Sequence, residues 1–279
     1  MSMNSISKIV SLALEEDIGI GDITTDIIID EGLKGKAYIK AKENGILCGC
    51  EVVREVFRSI DDTLVLRFLK SDGEEVFSGE KVIFIEGKVK SILKGERVAL
   101  NFLSHLSGIA TATNKFVKLL PPSVKILDTR KTLPGLRLLE KYAVRVGGGK
   151  NHRFGLYDGI LIKDNHIIAV GGVRKALEIA KRNAPHYMKI EIETATLEDV
   201  REALEGGADI ILLDNMSIDE IREAIKIING RAQIEVSGGI NSDNIEQLVG
   251  LPIDFISIGA ITHSTKALDF SLTLEDRIE

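Results

Sequence analysis

The chain has 279 residues, a length typical of about two domains and sufficient to bury a sizeable core. Apolar residues make up 44% and charged residues 28%, with only 5 Pro, which excludes a disordered or low-complexity chain. The formal net charge of -6 argues against nucleic acid as a partner, because phosphate backbones attract net basic surfaces. No run approaches the ~20 apolar residues of a membrane span, so we expect no membrane partner.

The first part of the chain, residues 1–110, predicts an α+β domain. Its opening segment MSMNSISKIVSLALEEDIG has the pattern of an amphipathic helix and lacks the apolar stretch of a signal peptide, so we expect a cytoplasmic protein. Short β-like segments follow between helical runs near residues 4–16 and 50–59. Cys48 and Cys50 alternate in ILCGCEVV as on a strand, which predicts reduced core thiols rather than a metal site.

Residues 111–265 alternate apolar β-rich runs with helical runs, from VKILDT to DFISIG. Strands that are apolar on both faces and alternate with helices are typical of a parallel α/β sheet. No G-x-G-x-x-G motif follows the first strand, and polar residues end one strand after another, which favours a TIM-like α/β barrel over a doubly wound sheet. About six or seven strands are recognisable, which leaves open a barrel of fewer than eight. The C-terminal segment, residues 266–279, is left open to return to the N-terminal domain.

A cationic segment at residues 128–166 contrasts with the acidic chain around it. It holds eight Lys/Arg against four Asp/Glu, and its cations lie next to strand ends or Gly-rich turns, where side chains can point into a pocket. The candidates are Arg130, Lys131, His152, Arg153 and Lys163. The pattern predicts a site for a polyanion, with scattered surface charge as the alternative.

Two carboxylates, Glu193 and Asp214, end neighbouring predicted strands and are expected to face one another across the mouth of the barrel. Two acids opposite a cationic segment could hold Mg²⁺, bind sugar hydroxyls or stabilise a cationic transition state. The alternative is a salt bridge at the rim to Lys163 or Lys131.

The last two predicted strands end in glycine-rich turns, IEVSGGI and ISIGAITHS. Glycine there lets the backbone approach a phosphate closely, in the loops where barrels often hold one. Ordinary tight turns would use the same glycines, so either motif alone is weak. The phosphate candidates are Ser237, Gly238, Gly239, Gly259 and Ala260.

Motifs along nearly the whole chain resemble the quinolinate phosphoribosyltransferase family: EDIGIGDITTD, ERVALNFLSHLSGIAT, DTRKTLPGLR, GGGKNHRFGLYDGILIKDNH, EIET, ILLDN, EVSGGI and SIGAITHS. The resemblance implies transfer of phosphoribose from phosphoribosyl pyrophosphate (PRPP) to the ring nitrogen of quinolinate. Pyrophosphate and CO₂ are lost, and nicotinate mononucleotide is formed for NAD synthesis. The family also implies Mg²⁺ as cofactor and a homodimer or hexamer.

The resemblance assigns roles to the candidates. Arg130, His152, Arg153 and Lys163 would surround the quinolinate carboxylates, with Arg97 of ERVALN joining from the partner subunit. Lys131 and His263 would contact pyrophosphate, Glu193 and Asp214 would hold ribose and Mg²⁺, and the SGG and SIGA turns would cradle the 5′-phosphate. The division of Lys131, Lys163 and His263 between carboxylate and pyrophosphate is left open. The candidates for stabilising the transition state are Glu193, Asp214, Lys131 and Lys163.

Arg97 begins a polar or small stripe on a predicted amphipathic helix, continued by Asn101, Ser104 and Gly108. Such a stripe suits close packing against a wet surface, and in a two-fold dimer it could close the partner's rim. The alternative is a surface arginine that caps its own domain.

Two other functions compete with the transferase. A Schiff-base aldolase-type barrel would use Lys163 at its strand end as the reactive amine, although carbonyl chemistry does not require so many Arg and His. A homologue associated with molybdenum uptake shares TRKT-like and HR motifs. That branch lacks the Asn of NHR and the Lys-Asp of KDNH, whereas Asn151, Lys163 and Asp164 are present here.

Overall fold

The computed structural model describes residues 3–278 of the chain. Its helices are α1 (Met3–Ile18), α2 (Ile23–Ile28), α3 (Cys50–Ile60), α4 (Val89–Leu119), α5 (Arg137–Val146), α6 (Asp164–Val170), α7 (Val173–Asn183), α8 (Leu197–Glu205), α9 (Ile218–Ile228) and α10 (Ala260–His263). Its strands are β1 (Lys34–Ala41), β2 (Gly45–Ile46), β3 (Val65–Phe68), β4 (Glu75–Val76), β5 (Lys81–Lys88), β6 (Lys125–Leu127), β7 (Ile160–Ile162), β8 (Ile190–Thr194), β9 (Ile210–Asp214), β10 (Gln233–Ser237), β11 (Phe255–Ser257) and β12 (Phe270–Ile278).

The described chain forms two compact units that interleave along the sequence. Unit 1 comprises residues 3–114, 133–148 and 264–278, and unit 2 comprises residues 115–132 and 149–263. Helix α5 lies in the middle segment of unit 1, although the alternation of strands and helices places it among the barrel elements. None of the helices among the described residues is long and apolar enough to cross a membrane.

Unit 1 is built on a four-stranded antiparallel sheet with the order β12-β1-β5-β3. Strand β1 alternates buried and less buried residues along its length, as expected for a sheet with one face on a core. The C-terminal strand β12 pairs along the whole of β1, from Lys34↔Ile278 to Ala41↔Phe270. Residues 270–278 therefore complete a sheet that also contains residues near the start of the chain.

The two cysteines do not alternate on one strand, so that expectation is wrong. Cys48 follows β2, whereas Cys50 begins α3, because Gly49 between them adopts φ +119° and turns the chain. Both thiols are free and buried. Burial raises the pKa of each, and the charge of Asp72 raises it further, so both remain protonated core thiols.

The polar stripe predicted on α4 is interrupted at its C-terminal end. Arg97 and Asn101 are exposed, but Gly108 is buried, and a Cβ there would collide with the backbone carbonyl of Lys266. The backbone amide of Leu268 donates to the carbonyl of Ser104 at 3.0 Å. The segment around Lys266 and Leu268 thus covers the C-terminal end of the stripe. The N-terminal part of the stripe, Arg97 and Asn101, stays exposed.

Unit 2 is a six-stranded parallel sheet with the order β6-β11-β10-β9-β8-β7. Its central strands are buried on both faces, as β9 and β10 show, because in a barrel helices cover the outer face and side chains of the strands fill the interior. Within the described residues β6 forms an isolated parallel bridge at Lys150, and no ladder joins β6 to β7. The arrangement confirms the predicted fold class, a TIM-like α/β barrel with fewer than eight strands plus an N-terminal α+β domain.

Candidate active site

The carboxyl ends of the parallel strands surround a cavity of about 690 Å³ in unit 2. The strand register brings these ends together, since Asp214 at the end of β9 lies level with Ser237 at the end of β10. Thirteen of the fourteen predicted site residues line the cavity: Arg130, Lys131, His152, Arg153, Lys163, Glu193, Asp214, Ser237, Gly238, Gly239, Gly259, Ala260 and His263. The fourteenth, Arg97, belongs to unit 1.

Two arginines form the cationic side of the cavity, and one has an unused donor. Arg153 donates through Nη1 to the carbonyl of Gly159 at 3.0 Å. Its Nε is buried and has no hydrogen-bond partner among the described residues. Burial lowers the pKa of Arg153, and the neighbouring charge of Arg130 lowers it further. A buried guanidinium donor beside a second cation favours an anionic ligand, which would satisfy the donor and separate the charges.

The NHR segment is held in place by a buried carboxylate at the end of β6. Asp128 is fully buried and accepts a hydrogen bond from the amide of Asn151 at 2.5 Å. It also accepts from the backbone N–H of His152 at 2.9 Å. Asp128 therefore fixes the backbone that carries His152 and Arg153 into the cavity.

The acidic side differs from the expectation in one respect. Glu193 and Asp214 lie side by side on adjacent strands, since Glu193 pairs with Leu212 on β9, and so do not face each other across the mouth. Lys163 Nζ lies 2.5 Å from Glu193 Oε2, so the rim salt bridge that the sequence left open is present. Asp214 accepts a hydrogen bond from the Asn215 side chain at 2.9 Å. A ligand that binds Glu193 Oε2 competes with Lys163 for that oxygen.

The glycine turns meet the cavity with bare backbone. Gly238 and Gly239 have φ values of +95° and +61°, a region that favours glycine. A Cβ on Gly238 would collide with the side chain of Asn215, whereas one on Gly239 would meet no protein atom within 4 Å. On the second turn, a Cβ on Gly259 would lie 3.0 Å from Lys131 Cδ. Gly238 is thus required by packing, and Gly239 leaves open space for a ligand.

A buried group that sequence reasoning only partly found lies inside the sheet. His152 Nε2 lies 3.1 Å from Glu191 Oε2 and 3.7 Å from Glu235 Oε1, and we call these three residues the interior cluster. The two glutamates are 6% and 1% exposed. They were missed because the strands IEIET and IEVS were interpreted as apolar on both faces. The available signal was a glutamate alternating with isoleucine inside a buried strand.

The interior cluster can hold a proton or, by its donor set, a metal ion. Its candidate ligand atoms lie within 4.8 Å of one another. Burial raises the pKa of Glu235 to about 7, with a further rise from the charge of Glu191 and an opposing effect of His152. Glu235 Oε1 has no hydrogen-bond partner within the described part of the chain. The Glu235 carboxyl therefore carries a proton part of the time near neutral pH.

Arg97 lies on the exposed face of α4 in unit 1. Its neighbour Glu96 is about half buried, and burial raises the pKa of Glu96 against the opposing charge of Arg97. A role of Arg97 in a partner's site stays a prediction.

Two family models, curated relatives and a crystal structure match this chain. The family models described as the N-terminal and C-terminal domains of quinolinate phosphoribosyl transferase match residues 22–107 and 109–273. A probable nicotinate-nucleotide pyrophosphorylase (carboxylating) of Methanocaldococcus jannaschii is 48% identical over 277 residues, covering 96% of each chain. A quinolinate phosphoribosyltransferase (decarboxylating) of Nicotiana tabacum is 40% identical over 98% of this chain and 83% of its own. The crystal structure of NadC from Streptococcus pyogenes superposes with a TM-score of 0.94 at 46% identity, covering 99% of both chains.

Proposed function

The chain belongs to the quinolinate phosphoribosyltransferase family, and we propose that the cavity of unit 2 is where it transfers phosphoribose from PRPP to quinolinate. The products are nicotinate mononucleotide, pyrophosphate and CO₂. The observation that carries the proposal is the set of groups that one cavity brings together. Arg130 and Arg153, with the unsatisfied buried Nε of Arg153, share the cavity with the strand-end carboxylates Glu193 and Asp214 and with the bare glycine turns.

Quinolinate fits the cationic side because it carries two carboxylates on adjacent ring carbons. The guanidinium groups of Arg130 and Arg153 offer planar donors that match a carboxylate, and Arg153 Nε is available to one. His152, held by Asp128 through its backbone, positions the same segment. We assign Lys163 to a quinolinate carboxylate, with Lys131 and His263 directed to pyrophosphate.

PRPP fits the part of the cavity that the glycine turns and the strand-end acids Glu193 and Asp214 line. The turns at Ser237–Gly239 and Gly259–Ala260 supply backbone N–H groups for the 5′-phosphate, and the open space beside Gly239 allows its approach. Glu193 and Asp214 are placed to accept the ribose hydroxyls. On this assignment, substrate binding exchanges ion pairs, since Lys163 leaves Glu193 for quinolinate and frees Glu193 for the ribose.

The chemistry matches these residue types. Departure of pyrophosphate from C1 of the ribose builds positive charge on the sugar and negative charge on the leaving group. Preorganised carboxylates near the sugar and cations near pyrophosphate both stabilise that transition state more than the ground state. The quinolinate nitrogen is the nucleophile, so no protein nucleophile is needed.

We propose Mg²⁺ as the cofactor, held by Glu193 and Asp214 directly or through water. Carboxylate oxygens are the ligands that Mg²⁺ prefers, and the two acids lie on adjacent strands. The salt bridge from Lys163 must open if Mg²⁺ is to bind Glu193 Oε2. Bound Mg²⁺ would neutralise charge on the pyrophosphate.

We also propose that the chain works as a homodimer or hexamer in the cytoplasm, with Arg97 acting in the partner's site. The exposure of Arg97 and Asn101 on α4 supports this, because both are free to meet another surface.

The two competing functions are not favoured. The Lys163 ammonium is held against Glu193 at 2.5 Å, whereas Schiff-base chemistry needs a neutral amine. The relatives at 40–48% identity carry the transferase names.

The direct test is to incubate the protein with quinolinate, PRPP and Mg²⁺ and to measure nicotinate mononucleotide and pyrophosphate. Nicotinate is the matched control substrate, since it lacks only the second carboxylate. Without that carboxylate, buried cations stay unpaired. We therefore expect kcat/KM for nicotinate to be lower than that for quinolinate by on the order of 10³-fold or more. Comparable turnover of nicotinate would contradict the assignment of the cationic side.

A further inference from the structure

The proposed reaction ends with the transfer of a proton to the pyridine ring. When the carboxylate at C2 of the pyridine ring leaves as CO₂, the electron pair of the broken bond stays on C2. That carbon must then be protonated to give nicotinate mononucleotide. The inference that follows rests on the proposed function and concerns this last step.

The interior cluster lies where such a proton could be stored. His152 and Glu235 both line the substrate cavity, and Glu235 is only 1% exposed. The elements around Glu235 bring Glu191 from β8, His152 from the segment after Lys150, and Ser257 from β11. Leu212 of β9 lies level with Glu235 and adds an apolar neighbour. A carboxyl group in these surroundings is held away from bulk water on the substrate side.

Hydrogen-bond geometry gives the two ring nitrogens of His152 different roles. The backbone N–H of Arg153 donates to His152 Nδ1 at 2.7 Å, so Nδ1 acts as an acceptor and carries no proton. The other ring nitrogen, Nε2, faces Glu191 at 3.1 Å and is the donor. Burial raises the pKa of Glu235 to about 7, so this carboxyl can carry a proton near neutral pH.

The interior cluster also has a second route to solvent. A cavity of about 720 Å³ is lined by Glu235, Glu191 and His152, and by Tyr187, Met188 and Lys189, which precede β8. Ile160, Ile210 and Phe255, the first residues of β7, β9 and β11, also line this second cavity, so it reaches the amino ends of the strands. Glu235 thus lines both cavities, and it can regain a proton from water in the second cavity while substrate fills the first.

We propose that Glu235 is the acid that protonates C2 of the pyridine ring after CO₂ has left. The C2–carboxylate bond breaks, CO₂ departs, and the electron pair on C2 takes the carboxyl proton of Glu235 to form a C–H bond. Glu235 becomes a carboxylate and is reprotonated by water from the second cavity. Glu191 and His152 position Glu235 and share its charge.

The test separates ribosyl transfer from decarboxylation in single turnovers. Glu235→Gln keeps the side-chain shape but removes the acidic proton. We expect pyrophosphate release to stay within about threefold of the unmodified protein, while nicotinate mononucleotide formation falls roughly 100-fold or more, the usual scale of general-acid catalysis. Without that proton the carbanion at C2 recaptures CO₂, so quinolinate mononucleotide, which retains both carboxylates, should accumulate.

The matched control is Glu140→Gln, which makes the same change at another fully buried glutamate paired with a histidine. Glu140 Oε1 lies 2.8 Å from His105 Nε2 in unit 1 and lies outside the cavity lining. We expect this variant to leave the ratio of the two products unchanged. An equal loss of both products in a folded Glu235→Gln variant, or no loss of either, would overturn the proposal.

The unmodified protein gives an independent measurement if Glu235→Gln does not fold. A proton donor must be protonated, so the decarboxylation step should slow as pH rises through about 7, while pyrophosphate release should not share that decline. A decarboxylation rate independent of pH between about 6 and 8 would contradict the proposal, as would a tightly bound metal ion in the interior cluster. Failure to release pyrophosphate at all would refute the proposed function instead.

Discussion

Asp214 and Arg130 line the same cavity but are assigned to opposite ends of the reaction. The charge of Asp214 acts on the developing ribosyl cation, so Asp214→Asn should lower kcat far more than it weakens quinolinate binding. Arg130→Ala removes a planar donor for a carboxylate and should largely abolish quinolinate binding. Titration calorimetry with quinolinate and steady-state kinetics measure the two effects. The reverse pattern would mean that the polarity assigned to the cavity is wrong.

Asp128 supports the site without reaching substrate. Asp128→Asn would turn an amide toward the donors of Asn151 and His152, leaving a buried hydrogen bond unmade. We expect a loss of about 1–3 kcal/mol in the free energy of unfolding, and weaker quinolinate binding because the NHR segment shifts. Denaturant unfolding measures the first. Asp62→Asn is the control, since that exposed acid loses the same charge, and an equal effect of both variants would refute the role of Asp128.

The sequence predicts some residues of the site and fails to predict others. Strand-end residues such as Glu193 were found because polar residues there break an apolar pattern. Glu191 and Glu235 lie inside the strands, and only the closing of the sheet around His152 makes them a cluster. The pairing of Lys163 with Glu193 was left as one alternative, because a sequence does not set which of two cations reaches a carboxylate.

At the scale of elements, the glycine turn after β10 allows a comparison of three variants. Gly239→Ala should fold with only the ~1–2 kcal/mol strain of a left-handed residue, but its Cβ would occupy the space assigned to the phosphate. We therefore expect the KM for PRPP to rise at least about tenfold. Gly238→Ala should lose more stability, since its Cβ collides with Asn215. Thermal unfolding and PRPP kinetics separate the two effects.

Gly250→Ala is the matched control, because Gly250 also has a positive φ, +83°, and open space around it, but lies outside the cavity lining. It should lose stability like Gly239→Ala and keep its KM for PRPP. An unchanged KM in Gly239→Ala would show that the turn does not hold the phosphate.

Most elements of the barrel follow from local pattern, because a strand that is apolar on both faces followed by an amphipathic helix has few other solutions. The exceptions depend on one residue or on distant contacts. Gly49 turns the chain so that Cys50 starts a helix and not the continuation of a strand. The segment predicted as a helix after β10 forms only a short 3-10 turn, Ile245–Leu248.

At the scale of the whole molecule, the two units draw on separated stretches of chain. Residues 133–148 and 264–278 belong to unit 1, although residues of unit 2 precede both. Composition and periodicity describe neighbours along the chain, so they predict α5 as a helix but not the unit in which it packs. The burial of Gly108 against Lys266 has the same origin, since the contact joins residues far apart in sequence.

Arg97 is exposed on α4, as is Asn101 one turn further along, and is assigned to the partner's site. Two inactive variants, Arg97→Ala and Arg130→Ala, are mixed by co-refolding. If Arg97 acts in the partner's site, each mixed dimer has one site with both arginines and one with neither. Since about half the dimers are mixed under two-fold symmetry, activity should recover to roughly a quarter of the unmodified level. If Arg97 acts within its own chain, every site lacks one arginine and the mixture stays at background.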